Sequence, residues 1–100
     1  MVVYIGNVFT GNFMKTNNWT ARSSEISWTE FDEFKNKKHI NFFGHEDVAK
    51  MVGMEMNRIS ISVDSGDIIV LAQYNGPRLP EGCTKLPEGA KITPVKIEVL

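Results

Sequence analysis

Apolar residues fall at every second position in two parts of the chain. Ile59, Ile61 and Val63 alternate with Ser60 and Ser62, and Val95, Ile97 and Val99 alternate with Lys96 and Glu98. A period of two marks a strand with one face buried, so a strand is expected over residues 59–63 and a last strand over residues 94–100. Between them Ile68-Ile69-Val70-Leu71-Ala72 is apolar throughout and bounded by turn residues, as a buried core strand is. Val2-Val3-Tyr4-Ile5, stopped by Gly6-Asn7, predicts a first strand, and a weaker alternation surrounds Glu25-Ile26-Ser27-Trp28. Two segments follow the helical period instead. Phe31 and Phe34 lie three apart behind a Thr29 cap, with Asp32 and Glu33 in the first turns and a stop at Asn36-Lys37-Lys38. The second helix opens at Gly44-His45-Glu46-Asp47, carries Val48, Met51 and Val52 as its apolar stripe, and ends at Gly53. Residues 8–14 read as irregular or briefly helical, and Asp64-Ser65-Gly66-Asp67 as a hairpin turn. Together these elements predict an α+β fold: a mixed, roughly five-stranded sheet with two or three short helices packed mainly on one face.

Composition narrows what such a fold can do. One hundred residues make one domain, residues 1–100, and 42% apolar with 23% charged residues is ordinary for a globular chain. Eleven basic and twelve acidic side chains leave a net charge of -1. That lacks the basic excess of a protein that tracks a long nucleic acid, so an anionic ligand must be small and held by a few local donors. Cys83 has no internal disulfide partner, which fits a reducing interior. No apolar run approaches the roughly 20 residues of a membrane span and no secretory leader opens the chain, so a cytoplasmic protein with no membrane partner is expected. The Asn18-Trp19-Thr20 sequon then carries no weight.

Candidate chemistry gathers after the core strand. Gln73-Tyr74-Asn75-Gly76-Pro77-Arg78-Leu79-Pro80-Glu81-Gly82 joins an amide, a guanidinium and a carboxylate to a segment stiffened by proline. Leu79-Pro80-Glu81-Gly82 recurs as Leu86-Pro87-Glu88-Gly89, too short an echo for a repeat architecture. His45 stands at a helix start, where free backbone N–H groups attract anions. Each residue also has a plain structural reading. Asn7 can close a strand, Thr10 and Asn12 can cap, Arg78 can pair at a rim, and Glu81 can be a turn carboxylate. A helix-initial His45 can be a surface residue, as His39 beside Lys37-Lys38 is expected to be. Metal-ligand spacings are missing, with no His-x-x-x-His and no cysteine pair. Gly-rich phosphate loops and Ser-His-Asp signatures are missing too. Metal-free and cofactor-free acid–base chemistry around a lone histidine is what remains.

Phe43-Gly44-His45, the helix ending at Gly53, Asn57-Arg58-Ile59, Gly66-Asp67 and Gly76-Pro77-Arg78-Leu79-Pro80-Glu81-Gly82 occur in an order that resembles the viral ring nucleases, anti-CRISPR proteins of archaeal viruses and bacterial phages. Tyr-Ile-Gly-Asn-Val-Phe-Thr-Gly-Asn over residues 4–12 is similar to the amino-terminal strand and polar turn of that family. The resemblance spans most of the chain and is weak over residues 15–40. It implies a homodimer that destroys cyclic tetra-adenylate, the second messenger of type III CRISPR defence, without metal, in the cytoplasm of an infected prokaryotic host cell. By position, His45 matches the catalytic histidine, Arg78 and Glu81 the loop arginine and glutamate, and Gln73 the strand-end glutamine. Asn7 matches the asparagine after the first strand, Thr10 stands where related viral proteins have serine, and Asn12 matches a further polar position. The rival expectation is a non-catalytic module, either a sponge for cyclic nucleotides or a viral structural or interaction protein. Single-stranded nucleic-acid binding through Trp19, Trp28, Phe42 and Phe43 is the weaker third, because Phe42 and Phe43 read as core and the charge is near neutral.

Overall fold

Residues 1–79, 82 and 85–100 are described by the computed structural model; Glu81 and Cys83 lie outside them. Five strands form one sheet: β1 (Val3–Gly6), β2 (Ala21–Glu25), β3 (Ile40–Asn41), β4 (Ile68–Asn75) and β5 (Lys91–Val99). Their spatial order is β2-β5-β4-β1-β3. β1 runs parallel to both β3 and β4, whereas β5 is antiparallel to β4 and to β2. Two helices, α1 (Trp28–Lys35) and α2 (Glu46–Met51), and a 3₁₀ turn at Gly11–Phe13 complete the fold. It is the expected α+β class with a mixed five-stranded sheet.

Burial explains the two rhythms. On one face Val3, Ile5, Val70 and Ala72 meet Phe31 of α1, Phe43, and Val48 and Ala49 of α2. On the other, Tyr4, Ile69, Leu71, Val95, Ile97 and Val99 are covered by Phe9, Phe13, Met14, Ile61 and Val63. Over residues 68–72 β4 is covered on both faces and is apolar without a break, as strands in a doubly covered sheet are. β5 alternates because Val95, Ile97 and Val99 point inward while Lys96 reaches Glu30 of α1 at 3.5 Å and Glu98 at 3.6 Å. Phe42 and Phe43 are core, as expected. Among the described residues no helix is long and apolar enough to cross a membrane.

Several local expectations change. Residues 59–63 form no strand: Ile59 is exposed, and only Val63 makes a bridge, to Met14. Their alternation records a segment laid across a sheet face, with Val63 N–H bonded to the Phe13 carbonyl at 2.8 Å, so residues 64–67 turn without closing a hairpin. The strand expected around residues 25–28 lies earlier, at Ala21–Glu25, and Ser27, not Thr29, caps α1 through a 3.1 Å bond from the Glu30 N–H. β3 has no counterpart in the sequence reading. Gln73 belongs to β4, paired with Thr93, and not to the loop that follows.

Candidate functional site at the carboxyl edge of the sheet

Because β1, β3 and β4 are parallel, the segments that leave their carboxyl ends emerge on one edge, where open sheets bind ligands. These segments carry Asn7, the run from Phe42 to His45, and Arg78. His45 is the N-cap of α2, and its Nδ1 accepts a 3.4 Å hydrogen bond from the Val48 N–H. A neutral imidazole whose Nδ1 accepts carries its proton on Nε2, which leaves Nε2 for a ligand.

The approach to His45 is fixed from both sides. Asn7 Oδ1 accepts from the Gly44 N–H at 2.9 Å, while Arg58 Nε donates to the Gly44 carbonyl at 3.1 Å. The Asn57 N–H bonds the Phe43 carbonyl at 2.8 Å, and Asn57 Nδ2 bonds the Asn41 carbonyl at 2.9 Å. Asn41 in turn bonds the Glu55 carbonyl at 2.7 Å and receives the Phe43 N–H at 2.9 Å. Residues 55–58 therefore run beside residues 41–44. Fully buried Phe43 and Ala49 and nearly fully buried Val48 anchor this pair of segments to the core.

His45 and Arg78 line one cleft of about 860 Å³, together with Arg58, Lys50, Glu46 and Asp47. Arg78 is placed by a stiff turn. Tyr74 donates its hydroxyl to the Pro77 carbonyl, and Gly76 has φ 154° with Ala90 so close that an added Cβ would sit 2.5 Å from the Ala90 Cβ. Only glycine fits there. Lys50 pairs with Glu46 at 3.0 Å, and that hydrogen bond holds the ammonium above its ordinary pKa. Among the described residues no three His, Cys, Asp or Glu side chains come together to hold a metal ion.

The other predicted site residues separate from this cleft. Gln73 projects on the opposite side of the sheet, into a second hollow of about 480 Å³ that it shares with Asn7, Phe9, Trp19 and Ser23. Asn7 thus lines the second hollow while its Oδ1 holds Gly44 ahead of His45. Thr10 caps the 3₁₀ turn, its Oγ1 accepting from the Asn12 N–H at 3.4 Å, and neither residue lines either hollow. Both are exposed. Glu81 falls outside the described residues, although its neighbour Gly82 lines the cleft. His39 is half-buried, with Nδ1 2.8 Å from the Lys37 carbonyl oxygen. Arg58 is the residue that sequence reasoning missed as part of the site. Its place depends on residues 55–58 folding back along residues 41–44, and no periodicity announces that.

The class these features define is a small α+β domain whose parallel strand ends present a histidine and two arginines in a cleft that also holds two carboxylates. The sequence model of the STIV B116-like family matches residues 3–97, and the chain belongs to that family of viral proteins. Among solved structures it is similar to B116 of Sulfolobus turreted icosahedral virus, at 19% sequence identity and a TM-score of 0.73, over 98% of this chain and 99% of that one. A likeness at that identity is one of fold. No curated protein matches the chain.

Proposed function

We propose that this protein is a metal-independent ring nuclease that opens cyclic tetra-adenylate to linear di-adenylate with 2′,3′-cyclic phosphate ends. Acting in the cytoplasm of the infected prokaryotic host cell, it would counter type III CRISPR immunity. The observation that supports this most is the convergence of His45 and Arg78, distant in sequence, on one cleft at the carboxyl edge of the sheet. The viral family and the resemblance of the segments that carry both residues point the same way.

The proposed reaction needs few groups. A ribose 2′-oxygen attacks its own phosphorus, the P–O2′ bond forms, and the P–O5′ bond breaks. The attack is intramolecular, so holding the ring in line supplies much of the acceleration. His45 as imidazolium passes a proton to the departing 5′-oxygen, and the 2′-OH proton leaves to solvent. Arg78 neutralises the non-bridging oxygens as charge builds on them. Glu81 is assigned to orienting Arg78 or His45. Asn7 and Gln73 hold ribose and adenine edges, and Thr10 and Asn12 shape the turn beside them. A homodimer would present two such sets to one symmetric ring.

The test is incubation with cyclic tetra-adenylate in EDTA under single-turnover conditions, with products resolved by chromatography. Ring that stays intact with the wild-type protein refutes the proposal, and binding without cleavage would mark a sponge. His45→Asn keeps a good helix cap but removes the proton donor. It should bind the ring and cleave it roughly 10²–10⁴-fold more slowly; an unchanged rate would remove His45 from its role.

A further inference from the structure

The second hollow differs from the cleft in one respect that decides its chemistry: among the described residues, none of its lining side chains carries a charge. Its floor is Leu71, Val95 and Ile97, on the face of the sheet that points away from α1 and α2. Trp19 forms a wall. Its indole stands edge-on to Phe9, with ring centroids 5.7 Å apart and planes at 81°, and its Cζ2 passes 3.5 Å from where a Cβ on Gly11 would be. The ring is held in place yet remains 39% exposed. Gln73 and Ser23 are exposed at the rim, and Asn7 spends its oxygen on the Gly44 N–H while its Nδ2 stays available.

We infer that this hollow is a nucleobase pocket, with Trp19 as its stacking wall and Gln73, Asn7 and Ser23 reading the edge of an adenine. The inference deepens the nuclease proposal and rests on its nucleotide ligand. A cleft with two guanidinium groups suits phosphate, whereas an uncharged, aromatic-walled hollow suits a neutral base. About 480 Å³ lies in the ordinary range for a small-molecule pocket, of roughly 300–1,000 Å³. A carboxamide matches the paired donor and acceptor of adenine, N6–H₂ and N7, whereas uracil has no exocyclic amine. Asn7 links the two places, since the residue that fixes Gly44 ahead of His45 also borders the base. Trp19 lies within residues 15–40, where the family resemblance is weak, so this wall belongs to this chain in particular.

The chain has two tryptophans, and Trp28 lies apart, on α1 against Phe31 at 5.1 Å. In a Trp28→Phe variant of the full chain, Trp19 is the sole indole reporter. Titration with linear di-adenylate should quench its emission, and linear di-uridylate should do so far less. Binding of di-adenylate by calorimetry should weaken about tenfold or more in Trp19→Ala and be largely kept in Trp19→Phe, from the ordinary worth of one base–aromatic stack. Gln73→Ala should narrow the gap between di-adenylate and di-uridylate. Thermal melts of all variants separate lost binding from lost folding, with Trp19→Phe as the conservative control. Di-adenylate that binds with Trp19 emission unchanged overturns the pocket, as does Trp19→Ala binding like wild type. So does a Trp19→Ala variant that changes only the subunit mass, which would make the hollow a contact between copies. Quenching by di-adenylate without ring cleavage would retain the pocket and defeat the nuclease; ring cleavage with Trp19 silent would do the reverse.

Discussion

Gly6 is the last residue of β1, and the Phe42 ring occupies the space where its side chain would be. A Cβ built on Gly6 lies 2.5, 2.6 and 2.7 Å from Cε2, Cζ and Cδ2 of Phe42. Carbon atoms pack best about 3.5–4.0 Å apart, so Gly6→Ala requires the ring to retreat by about 1 Å. It has little room to do so. Phe42 is buried, its ring stands edge-on to Phe13 at 5.5 Å, and its N–H is tied to the Ile5 carbonyl at 2.9 Å. Overpacking of this kind costs about 1–3 kcal/mol. At roughly 4–8 °C per kcal/mol for a chain of this size, the melting temperature should fall by roughly 5–20 °C. Circular dichroism on heating measures it. Phe42→Leu shortens the obstructing ring, so the double variant should be more stable than the two single losses predict, by about 1 kcal/mol or more. Because Phe42 leads directly into Phe43, Gly44 and His45, Gly6→Ala should also slow ring cleavage. A melting temperature within about 2 °C of wild type, or strict additivity in the double variant, would refute the steric reasoning.

Asp67 is buried and accepts from the Val2 N–H at 2.9 Å and from the Asp64 N–H at 3.0 Å. Asp67→Ala should therefore cost about 1.5–3 kcal/mol in urea unfolding, and a loss under about 0.5 kcal/mol would show that water replaces both bonds. Tyr4 donates its hydroxyl to the Ser62 carbonyl at 2.9 Å, and burial, helped by the Asp67 charge, raises its pKa above the ordinary 10.0. The native state then holds this proton where the unfolded chain has released it, so stability should fall as pH rises past 10.0 and through the raised native value. Tyr4→Phe should flatten that alkaline slope, and equal slopes in the two proteins would count against it. Arg58→Lys loses the planar donor that holds the Gly44 carbonyl, and is expected to slow ring cleavage by about 10–100-fold. Its melting temperature should barely move, because Arg58 is exposed; a rate equal to wild type would show that Gly44 is held without it.

What the sequence reveals and what it hides divide along a physical line. The apolar run of β4, the alternation of β5 and the acidic start of α2 are local patterns, and each fell where its pattern placed it. Residues 59–63 carry an equally good alternation but pair with none of the five strands, so the same pattern serves packing across a face. β3 is only two residues long, and directly after it Phe42 and Phe43 enter the cores on opposite faces of the sheet. No two-residue pattern announces that. At the site, Gly44-His45 and Gly76-Pro77-Arg78 were legible as stiff segments carrying chemistry, and the fold brings them together. Gln73 was legible as polar, but which side of the sheet it faces depends on β4 continuing to Asn75, three residues beyond the apolar run. Thr10 and Asn12 show that a polar turn can satisfy itself.

His45 faces two demands on one ring. As a cap, Nδ1 must keep its lone pair for the Val48 N–H; as the proposed proton donor, the ring must be an imidazolium with a proton on both nitrogens. The two states exclude each other. The capping bond is at the long end of the range, 3.4 Å, and α2 has other anchors in Val48 and Ala49, packed in the core. Giving up such a cap costs no more than the lower part of the about 0.5–2 kcal/mol that caps are worth. A phosphate held beside Arg78 and Arg58 can repay it by accepting from the protonated ring. On the proposed mechanism the Val48 N–H bond to Nδ1 is given up as the ligand binds, and a proton takes its place. Ring binding should accordingly be accompanied by proton uptake, seen in calorimetry as a dependence of the binding enthalpy on the buffer's ionisation enthalpy. His45→Asn, which keeps the cap and cannot take the proton, should abolish that dependence. If the wild-type enthalpy is the same in every buffer, the histidine does not charge on binding and cannot be the acid.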